Sequence, residues 1–172
     1  LQERIYRPLI EVLAEDNHEP RSMRSIAGHE KMKSMPAPHI VEALIALTGS
    51  GQVSPARVPG EPVRAHSKAL NHAICLRSRS AADINYLASP VTGAGVAVAR
   101  MEQLFLLGLR EGKNSPADLA NHVWGILMLQ GQRIIKDGKT LEAPEDNVSH
   151  LTGLAQTFLD KRLGILRALQ IA

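Results

Sequence analysis

The chain has 172 residues, of which 44% are hydrophobic but only 3% aromatic, so one or two small domains must be packed mainly with aliphatic side chains. Its formal net charge is +3, and its 20 lysines and arginines are scattered. That positive charge is too diffuse to argue for nucleic acid or for an acidic partner. The single cysteine, Cys75, excludes an internal disulfide framework and suits a reducing cytoplasm.

The sequence offers no membrane or export signal, and its first residue is Leu1 rather than methionine. No apolar run approaches the roughly 18 residues of a transmembrane helix, and no basic-then-apolar leader opens the chain. We therefore expect a cytoplasmic chain. The simplest interpretation of Leu1 is a fragment, either cut from a longer protein or trimmed after a tag.

The first 60 residues are predicted to form a winged-helix-like unit. Pro8 requires its first helix either to start near Arg7 or to kink. Ser22 is a candidate N-cap for the second helix, which Gly28 ends. The predicted elements are a helix over Leu1–Glu15, a short helix from Ser22 through Ile26, a third helix that Pro36–Pro38 opens and Gly49–Gly51 closes, and an extended segment over Gln52–Val58. Helix, short helix, helix and extended segment is the order of a winged-helix unit.

Pro59–Pro62 is the best candidate boundary, and residues 61–172 are predicted to form a C-terminal helical unit packed against the first. The fold class is therefore mainly α: a winged-helix-like unit followed by a helical bundle with little β. The predicted elements of this part outside its two central helices are a helix over Val63–Arg79, a short turn over Asp83–Leu87, a loop over Ser89–Gly95, a brief strand near Val96 and Val98, and a long final helix over Glu145–Leu169. On the first of these helices the predicted inward residues are Ala69, Leu70, Ala73, Ile74 and Leu76.

Two adjacent helices form the predicted core. Met101–Leu109 is apolar on nearly all sides, which predicts burial by neighbours in several directions. Ser115 and Pro116 then have the pattern of an N-cap followed by proline at the first helical position. The predicted inward stripe of this second helix is Leu119, Val123, Ile126, Leu127 and Met128, with Trp124 at its edge. Lys136–Lys139 is either a helix end or a tight hairpin, and its short flanks favour the helix end.

None of the candidate sites for chemistry has the full set of residues that its chemistry requires. Gly93–Gly95 resembles part of a nucleotide-binding loop, but Ser89 and Pro90 precede it in place of a buried strand and no suitable acidic residue follows. We interpret it as a loop that needs a positive φ. The seven histidines include no pair at ligand spacing, so a zinc site is not predicted. His122 is expected to be either a helix-surface histidine or a hydrogen-bonded core histidine. Cys75 is expected to be an inert buried thiol. The sequence therefore predicts no catalytic, cofactor-binding or metal-binding residue.

DNA binding by a winged helix would require base-reading side chains on the third helix. Pro38–Ser50 contains no Lys, Arg, Asn or Gln, and its ionisable groups are His39 and Glu42. The preceding basic residues could touch phosphates, but such contacts convey no sequence information. These residues are Arg21, Arg24, Lys31 and Lys33. A solvated basic surface is the favoured interpretation.

Several segments carry a family resemblance. They are Ile40–Leu47 through Val53, Leu87–Gly93, Gln103–Leu107, Val123–Trp124, Gln130–Arg133 and Arg162–Leu169. Together they resemble the C-terminal part of bacterial methyltransferases that carry a methyltransferase regulatory domain, the family that includes the rickettsial outer-membrane-protein lysine methyltransferases. Gly164 stands where this family favours proline.

The resemblance implies a Rossmann-like catalytic domain, N-terminal to this region, that binds S-adenosylmethionine. No catalytic residue of that domain maps onto this chain. We therefore expect a non-catalytic regulatory or substrate-contacting module of a SAM-dependent, possibly protein-lysine, methyltransferase. Its expected partners are the catalytic domain or a protein substrate. The alternatives are a winged-helix nucleic-acid-binding domain and an unrelated helical interaction domain.

Overall fold

A computed structural model describes residues 3–172, of which most are helical and few lie in strands. The predicted mainly α class with little β is confirmed. The elements are α1 (Glu3–Ala14), α2 (Met23–Gly28), α3 (Ala37–Gly49), α4 (Glu61–Arg77), β1 (Tyr86–Ser89), β2 (Ala94–Ala97), α5 (Arg100–Arg110), α6 (Pro116–Leu129), β3 (Ile135–Lys136), β4 (Lys139–Thr140), α7 (Pro144–Thr157), a π-helical turn (Phe158–Arg162) and α8 (Leu163–Ala168).

The chain divides into two compact units. The first unit ends at Val58 and also includes Val91–Gly93, and the second unit comprises Pro59–Pro90 and Ala94–Ala172. Each unit has its own cluster of buried aliphatic residues.

The first unit is built from α1, α2 and α3. Ser22 caps α2 as predicted, because its hydroxyl accepts a hydrogen bond from the Ser25 amide at 3.1 Å. Pro8 lies inside α1. The predicted helix start at Leu1 lies outside the described residues. Residues 52–58, which the structure describes throughout, form no strand. The buried core is Leu9, Val12, Ile26, Met32, Ile40, Ala43 and Leu47.

The second unit is organised around α5 and α6, as the sequence predicted. Six consecutive residues of α5, Gln103–Gly108, are buried, so neighbours surround this helix. Ser115 caps α6, because its hydroxyl oxygen accepts a hydrogen bond from the Asp118 amide at 3.1 Å. Pro116 is the first residue of α6. The prediction for Met128 was wrong, since 57% of this residue is exposed.

The brief strand predicted near Val96 and Val98 is confirmed at Val96, which lies in β2, whereas β1, β3 and β4 were missed by the sequence analysis. β1 pairs antiparallel with β2 and β3 with β4. The strand β1 lies before Gly93. The sequence analysis had predicted a turn over Asp83–Leu87 and a loop over Ser89–Gly95 in this region. The helix end favoured at Lys136–Lys139 was wrong as well, because Asp137 and Gly138 adopt positive φ values of 50° and 76° and close a hairpin.

Buried amide side chains attach these hairpins to the helices. Asn71 of α4 donates to the Ala88 carbonyl at 2.8 Å and accepts from the Ala88 amide at 2.7 Å. Gln103 of α5 donates to the carbonyls of Ile84 and Val98, at 2.7 and 2.9 Å. Each bond satisfies a backbone group that a two-stranded sheet leaves unpaired.

Asn147 of α7 does the same for the second hairpin. It accepts from the Ile134 amide at 2.8 Å and donates to the carbonyls of Leu141 and Ala143 at 2.7 and 2.8 Å. These hydrogen bonds hold the short hairpin of β3 and β4 against α7.

The buried face of α4 differs from the prediction. Asn71 and Cys75 are fully buried, whereas Leu70 and Leu76 are 52% and 43% exposed. Ala69 and Ala73, also predicted to point inward, are exposed. The hydrogen bonds of Asn71 to β1 select this face, because an amide buried without partners costs more than a few exposed aliphatic side chains.

The final predicted helix, Glu145–Leu169, is interrupted by a π-helical turn between α7 and α8. Gly164 lies inside α8, so it does not end the helix. The side chain of Arg162, at the end of the π-helical turn, donates to the Ala97 carbonyl at 2.5 Å and lies 3.3 Å from the Glu102 carboxylate. This contact ties the C-terminal helices to the start of α5.

Candidate interaction surface

The exposed side of α3 is the surface that differs most from an ordinary solvated helix. We call Pro38, Val41, Glu42, Ile45 and Thr48 the outer face of α3; all five are exposed. Val41 is 42% exposed and Ile45 66% exposed, and their i, i+4 spacing places them next to each other. The opposite face packs into the core of the first unit through Ile40, Ala43 and Leu47. An apolar pair of this kind suits contact with protein better than contact with phosphate.

A surface depression of about 820 Å³ adjoins this face. Its lining is Arg4, Ile5, Tyr6, Ser34, Met35, Pro36, His39, Glu42 and Ala43. Glu42 belongs both to the depression and to the outer face of α3, so the two are continuous. The lining includes both apolar and charged side chains.

Two of the basic residues considered for phosphate contact are engaged by carboxylates. Arg21 lies 3.3 Å from Glu15 and 2.6 Å from Asp16, and Lys31 lies 3.2 Å from both Glu11 and Glu15. A hydrogen bond from Lys31 lowers the pKa of the Glu15 carboxyl. Hydrogen bonds to Glu11 and then to Glu15 raise the pKa of the Lys31 amine. These charges hold α1 to the turn that precedes α3.

Arg24 and Lys33, the other two basic residues of that group, are exposed. His29 adds a further contact to the cluster, with its Nε2 3.1 Å from Glu15. Phosphate contact through these basic residues stays a prediction.

The glycine loop considered for a cofactor lies in the first hairpin. Gly93 adopts a φ of 70°, which confirms the predicted need for a positive φ. Gly95 is part of β2 and pairs with Ala88 of β1. Gly95 therefore belongs to the sheet.

Cys75 and His122 are both in structural surroundings. Cys75 is fully buried on α4, and burial raises the pKa of its thiol, which disfavours the reactive thiolate. The imidazole of His122 is packed close to the backbone of Gly108 and lies 3.3 Å from Glu111. Burial lowers the pKa of His122, with Glu111 opposing the shift.

Apart from the segment Ile40–Val53, which lies in the first unit, the segments that carry the family resemblance contribute residues with structural roles in the second unit. Gln103 holds the ends of the first hairpin, as described above. Gln130 and Gln132 accept hydrogen bonds from Arg100, at 3.3 and 2.8 Å, and Arg100 also donates to the Ser78 carbonyl at 2.8 Å. This network joins the C-terminal ends of α4 and α6. The resemblance thus rests on residues that build the fold.

The sequence analysis did not single out the outer face of α3 as a surface. A signal was present, since Ile40, Val41, Leu44, Ile45 and Leu47 are too many apolar residues for one buried stripe. Such an excess indicates either burial on two sides or an exposed patch, and only the packing decides between them.

Comparison with known proteins adds one relative. The chain is 36% identical over 176 residues to the uncharacterized protein sll1526 of Synechocystis sp., in an alignment that covers all of this chain and 33% of that protein. The chain therefore spans about a third of the length of the curated relative it matches. No protein-family model matches the sequence, and no solved structure matches it.

Two features are absent from residues 3–172. None of the helices there combines the length and the apolar character that a membrane crossing requires. Within the same residues no three His, Cys, Asp or Glu side chains are grouped so that they could hold a metal ion.

Proposed function

We propose that this chain is a non-catalytic interaction module of a longer SAM-dependent methyltransferase. In that protein it contacts the catalytic domain or a protein substrate, and it works in the cytoplasm. S-adenosylmethionine and the chemistry belong to the catalytic domain. The resemblance to the regulatory region of bacterial methyltransferases, including those that methylate lysines of outer-membrane proteins, supports this proposal.

The observation that carries the proposal is the outer face of α3. In a winged helix this element would enter the major groove with base-reading polar side chains. Here it presents Val41 and Ile45, with Glu42 as its charged group. A carboxylate beside two exposed aliphatic side chains would be repelled by DNA and suits a protein surface.

The length of the relative is compatible with a module of this kind. About two thirds of that protein lies outside the aligned region, which leaves ample length for a separate catalytic domain.

The first test is the coding sequence on either side of this region in its gene. We expect an adjoining segment with a strand, a Gly-x-Gly turn and a helix, followed by an acidic residue. The isolated chain should bind S-adenosylmethionine no more tightly than about millimolar by calorimetry. Micromolar binding to the chain itself would contradict a non-catalytic role, and the absence of any SAM-binding segment in the gene would contradict the methyltransferase assignment.

The second test addresses the surface. Ile45→Glu should weaken calorimetric binding of the chain to the separately produced catalytic domain or to its protein substrate. Leu129→Glu is the matched control, because Leu129 is 82% exposed on a different helix and is outside the surface. An equal effect of the two substitutions would show that the outer face of α3 is not the contact.

DNA binding is tested by selection from random duplexes. Nonspecific attraction would give affinities of about 10⁻⁴–10⁻⁶ M that fall with salt. Specific recognition would be tighter by about 10³-fold or more. An enriched motif bound tightly at about 150 mM salt would overturn the protein-contact proposal in favour of the nucleic-acid alternative.

A further inference from the structure

The first hairpin has one closed edge and one open edge. On β1 the side-chain amide of Asn71 bonds both the N–H and the C=O of Ala88, so both groups point away from β2. The residue opposite Ala88 in the sheet is Gly95. These two residues therefore form a pair that exchanges no hydrogen bonds, and the backbone groups of Gly95 point away from β1.

The neighbouring pairs of the ladder agree with this geometry. Val98 donates to the Asn85 carbonyl at 2.9 Å, one step beyond the pair of Tyr86 and Ala97. Hydrogen-bonded and non-bonded pairs alternate along an antiparallel ladder, so the pairs that contain Ala97 and Gly95 are both non-bonded. Gly95 and Ala97 therefore direct their N–H and C=O groups to the outer side of β2.

Little in the described part of the chain covers these groups. Arg162 donates to the Ala97 carbonyl at 2.5 Å. No described residue bonds the N–H of Ala97 or either backbone group of Gly95. Gly95 and Ala97 are exposed, and Val96 between them is half-buried. We call the N–H and C=O of Gly95 and the N–H of Ala97 the open edge of β2.

The sequence of β2, Ala-Gly-Val-Ala, lacks the side chains that usually protect such an edge. It has no charged residue and no proline, and its register with β1 runs without a bulge. Its small side chains also allow another backbone to approach closely. An edge of this kind can accept a further strand.

We propose that the open edge of β2 binds an extended segment of a partner protein, which adds a third strand to the first hairpin. An extended backbone presents donors and acceptors at the spacing that Gly95 and Ala97 offer. The side chains of the added strand alternate between the two faces of the sheet. On one face Val96 packs against the core of the second unit, so an aliphatic side chain placed beside Val96 gains burial.

The other face of the sheet supplies a second contact. Tyr86 is 61% exposed, and its side chain lies over Gly95. A Cβ atom added to Gly95 would be 3.5 Å from the Tyr86 Cβ and 3.7 Å from a carbon of its ring. The next side chain of the added strand would cover this ring. The partner segment is therefore extended, with an aliphatic residue beside Val96 and a neighbouring residue against Tyr86.

The contact is short, because β2 has 4 residues. For a short peptide we therefore expect a dissociation constant of about 0.1–1 mM. This proposal is independent of the proposed function, since it concerns a strand of the second unit and requires no catalytic domain.

The test is an NMR titration of the isotope-labelled 172-residue chain. The probe is an acetylated and amidated peptide of alternating threonine and valine, about six residues long. The N–H signals of Gly95 and Ala97 should move, and that of Val96 should move much less because its N–H already bonds β1. A peptide of alternating threonine and proline is the control and should have no effect, since proline cannot donate to a strand. Unmoved signals at about 2 mM of the first peptide would overturn the proposal.

Gly95→Pro tests the edge itself. The Gly95 N–H faces away from β1, so proline there removes an open donor and no hydrogen bond of the hairpin. We expect peptide binding, followed at the Ala97 signal, to weaken by at least about fivefold. Gly95→Ala is the matched control, because it retains the N–H and its methyl group would be in ordinary contact with Tyr86. It should retain binding.

The amide spectrum of Gly95→Pro checks that the hairpin is retained, because the Val96 N–H should stay protected from hydrogen exchange. The alternating pattern in the wild-type chain needs no variant, so it tests the proposal even if proline disturbs the hairpin. Equal binding by Gly95→Pro and Gly95→Ala, or the largest shifts outside β2, would overturn the proposal. Movement of the Gly95 and Ala97 signals with chain concentration alone would assign the edge to a second copy and would overturn it as well.

Discussion

The two units place their polar groups differently. In the second unit the buried polar residues are Asn71, Ser78, Ser89, Gln103 and Asn147. In the described part of the first unit, every buried residue of the core is aliphatic or methionine. There the polar links between elements are the half-exposed charges around Glu15.

The difference follows from the hairpins. Helices satisfy their backbone groups internally, so the core between the helices of the first unit needs no buried polar side chain. A two-stranded hairpin leaves one edge of each strand unpaired, and a buried amide from a neighbouring helix fills that need. We infer that the second unit depends on a few directional hydrogen bonds, and the first on packing and on charge.

The largest expected effect concerns the aromatic centre of the second unit. Phe105 is 1% exposed, and its ring lies 5.5 Å from that of Phe158. Phe105→Ala should lower the free energy of unfolding by about 3–5 kcal/mol, because it loses burial and leaves a cavity. Urea unfolding followed by Trp124 fluorescence measures this, since the only tryptophan is in the second unit. Leu129→Ala is the control; a change under about 1 kcal/mol in Phe105→Ala would contradict the core assignment.

The buried amides come next. Asn147→Ala would remove three hydrogen bonds and leave the Ile134 amide without its partner. We expect a loss of about 2–4 kcal/mol, since each orphaned buried group costs about 1–3 kcal/mol. The exposed Asn121 gives the matched control, Asn121→Ala, which should change stability by less than about 0.5 kcal/mol. Equal effects would mean that the hairpin does not depend on Asn147.

A smaller effect concerns pH and the second unit. Burial lowers the pKa of His122 below its ordinary value of 6.5, against the attraction of Glu111 and with Arg79 and Lys113 adding to the shift. The unfolded chain therefore takes up a proton at a higher pH than the folded chain does. Stability is full above about pH 6.5 and falls as the pH drops towards the lowered pKa. Tryptophan-detected unfolding between pH 5 and 7.5 should show this slope.

His122→Gln should remove that slope, whereas His72→Gln should retain it. His72 is exposed on α4, so the same substitution there is the matched control. A slope that survives in His122→Gln would assign the pH dependence to other groups.

The smallest expected effect is in the first unit. Contacts with Lys31, His29 and Arg21 lower the pKa of Glu15 below its ordinary value of 4.5. The carboxylate therefore stabilises the fold above about pH 4.5, and this is lost as the pH falls through the lowered pKa. Glu15→Gln should cause a slight loss of stability at neutral pH that salt masks.

The measurement for Glu15 is a comparison of two signals. Circular dichroism follows both units, whereas Trp124 follows the second alone. Glu15→Gln should shift the circular dichroism transition and leave the fluorescence transition in place. Glu42→Gln, at an exposed residue of α3, is the control. A shift of the tryptophan signal in Glu15→Gln would show that the two units unfold together and would remove the distinction.

The sequence by itself determined the features that depend on neighbours along the chain. Ser22 and Ser115 are N-caps, because the hydroxyl of each accepts a hydrogen bond from the backbone amide three residues ahead. Gly93 was recognised as a residue of positive φ. The burial of residues 103–108 in α5 followed from its composition, since Met101–Leu109 is apolar over more than one face of the helix.

Only the tertiary structure decided which face of α4 is buried and that the hairpins form. Both depend on amide hydrogen bonds between distant positions, Asn71 with Ala88 and Gln103 with Ile84. No local sequence pattern predicts such a hydrogen bond. An asparagine on a helix has the pattern of a surface residue, and only the tertiary structure shows that a strand edge packs against it. The exposed faces of α3 and α4 were hidden for the same reason: hydrophobicity says that a residue gains from burial, but packing decides which residues obtain it.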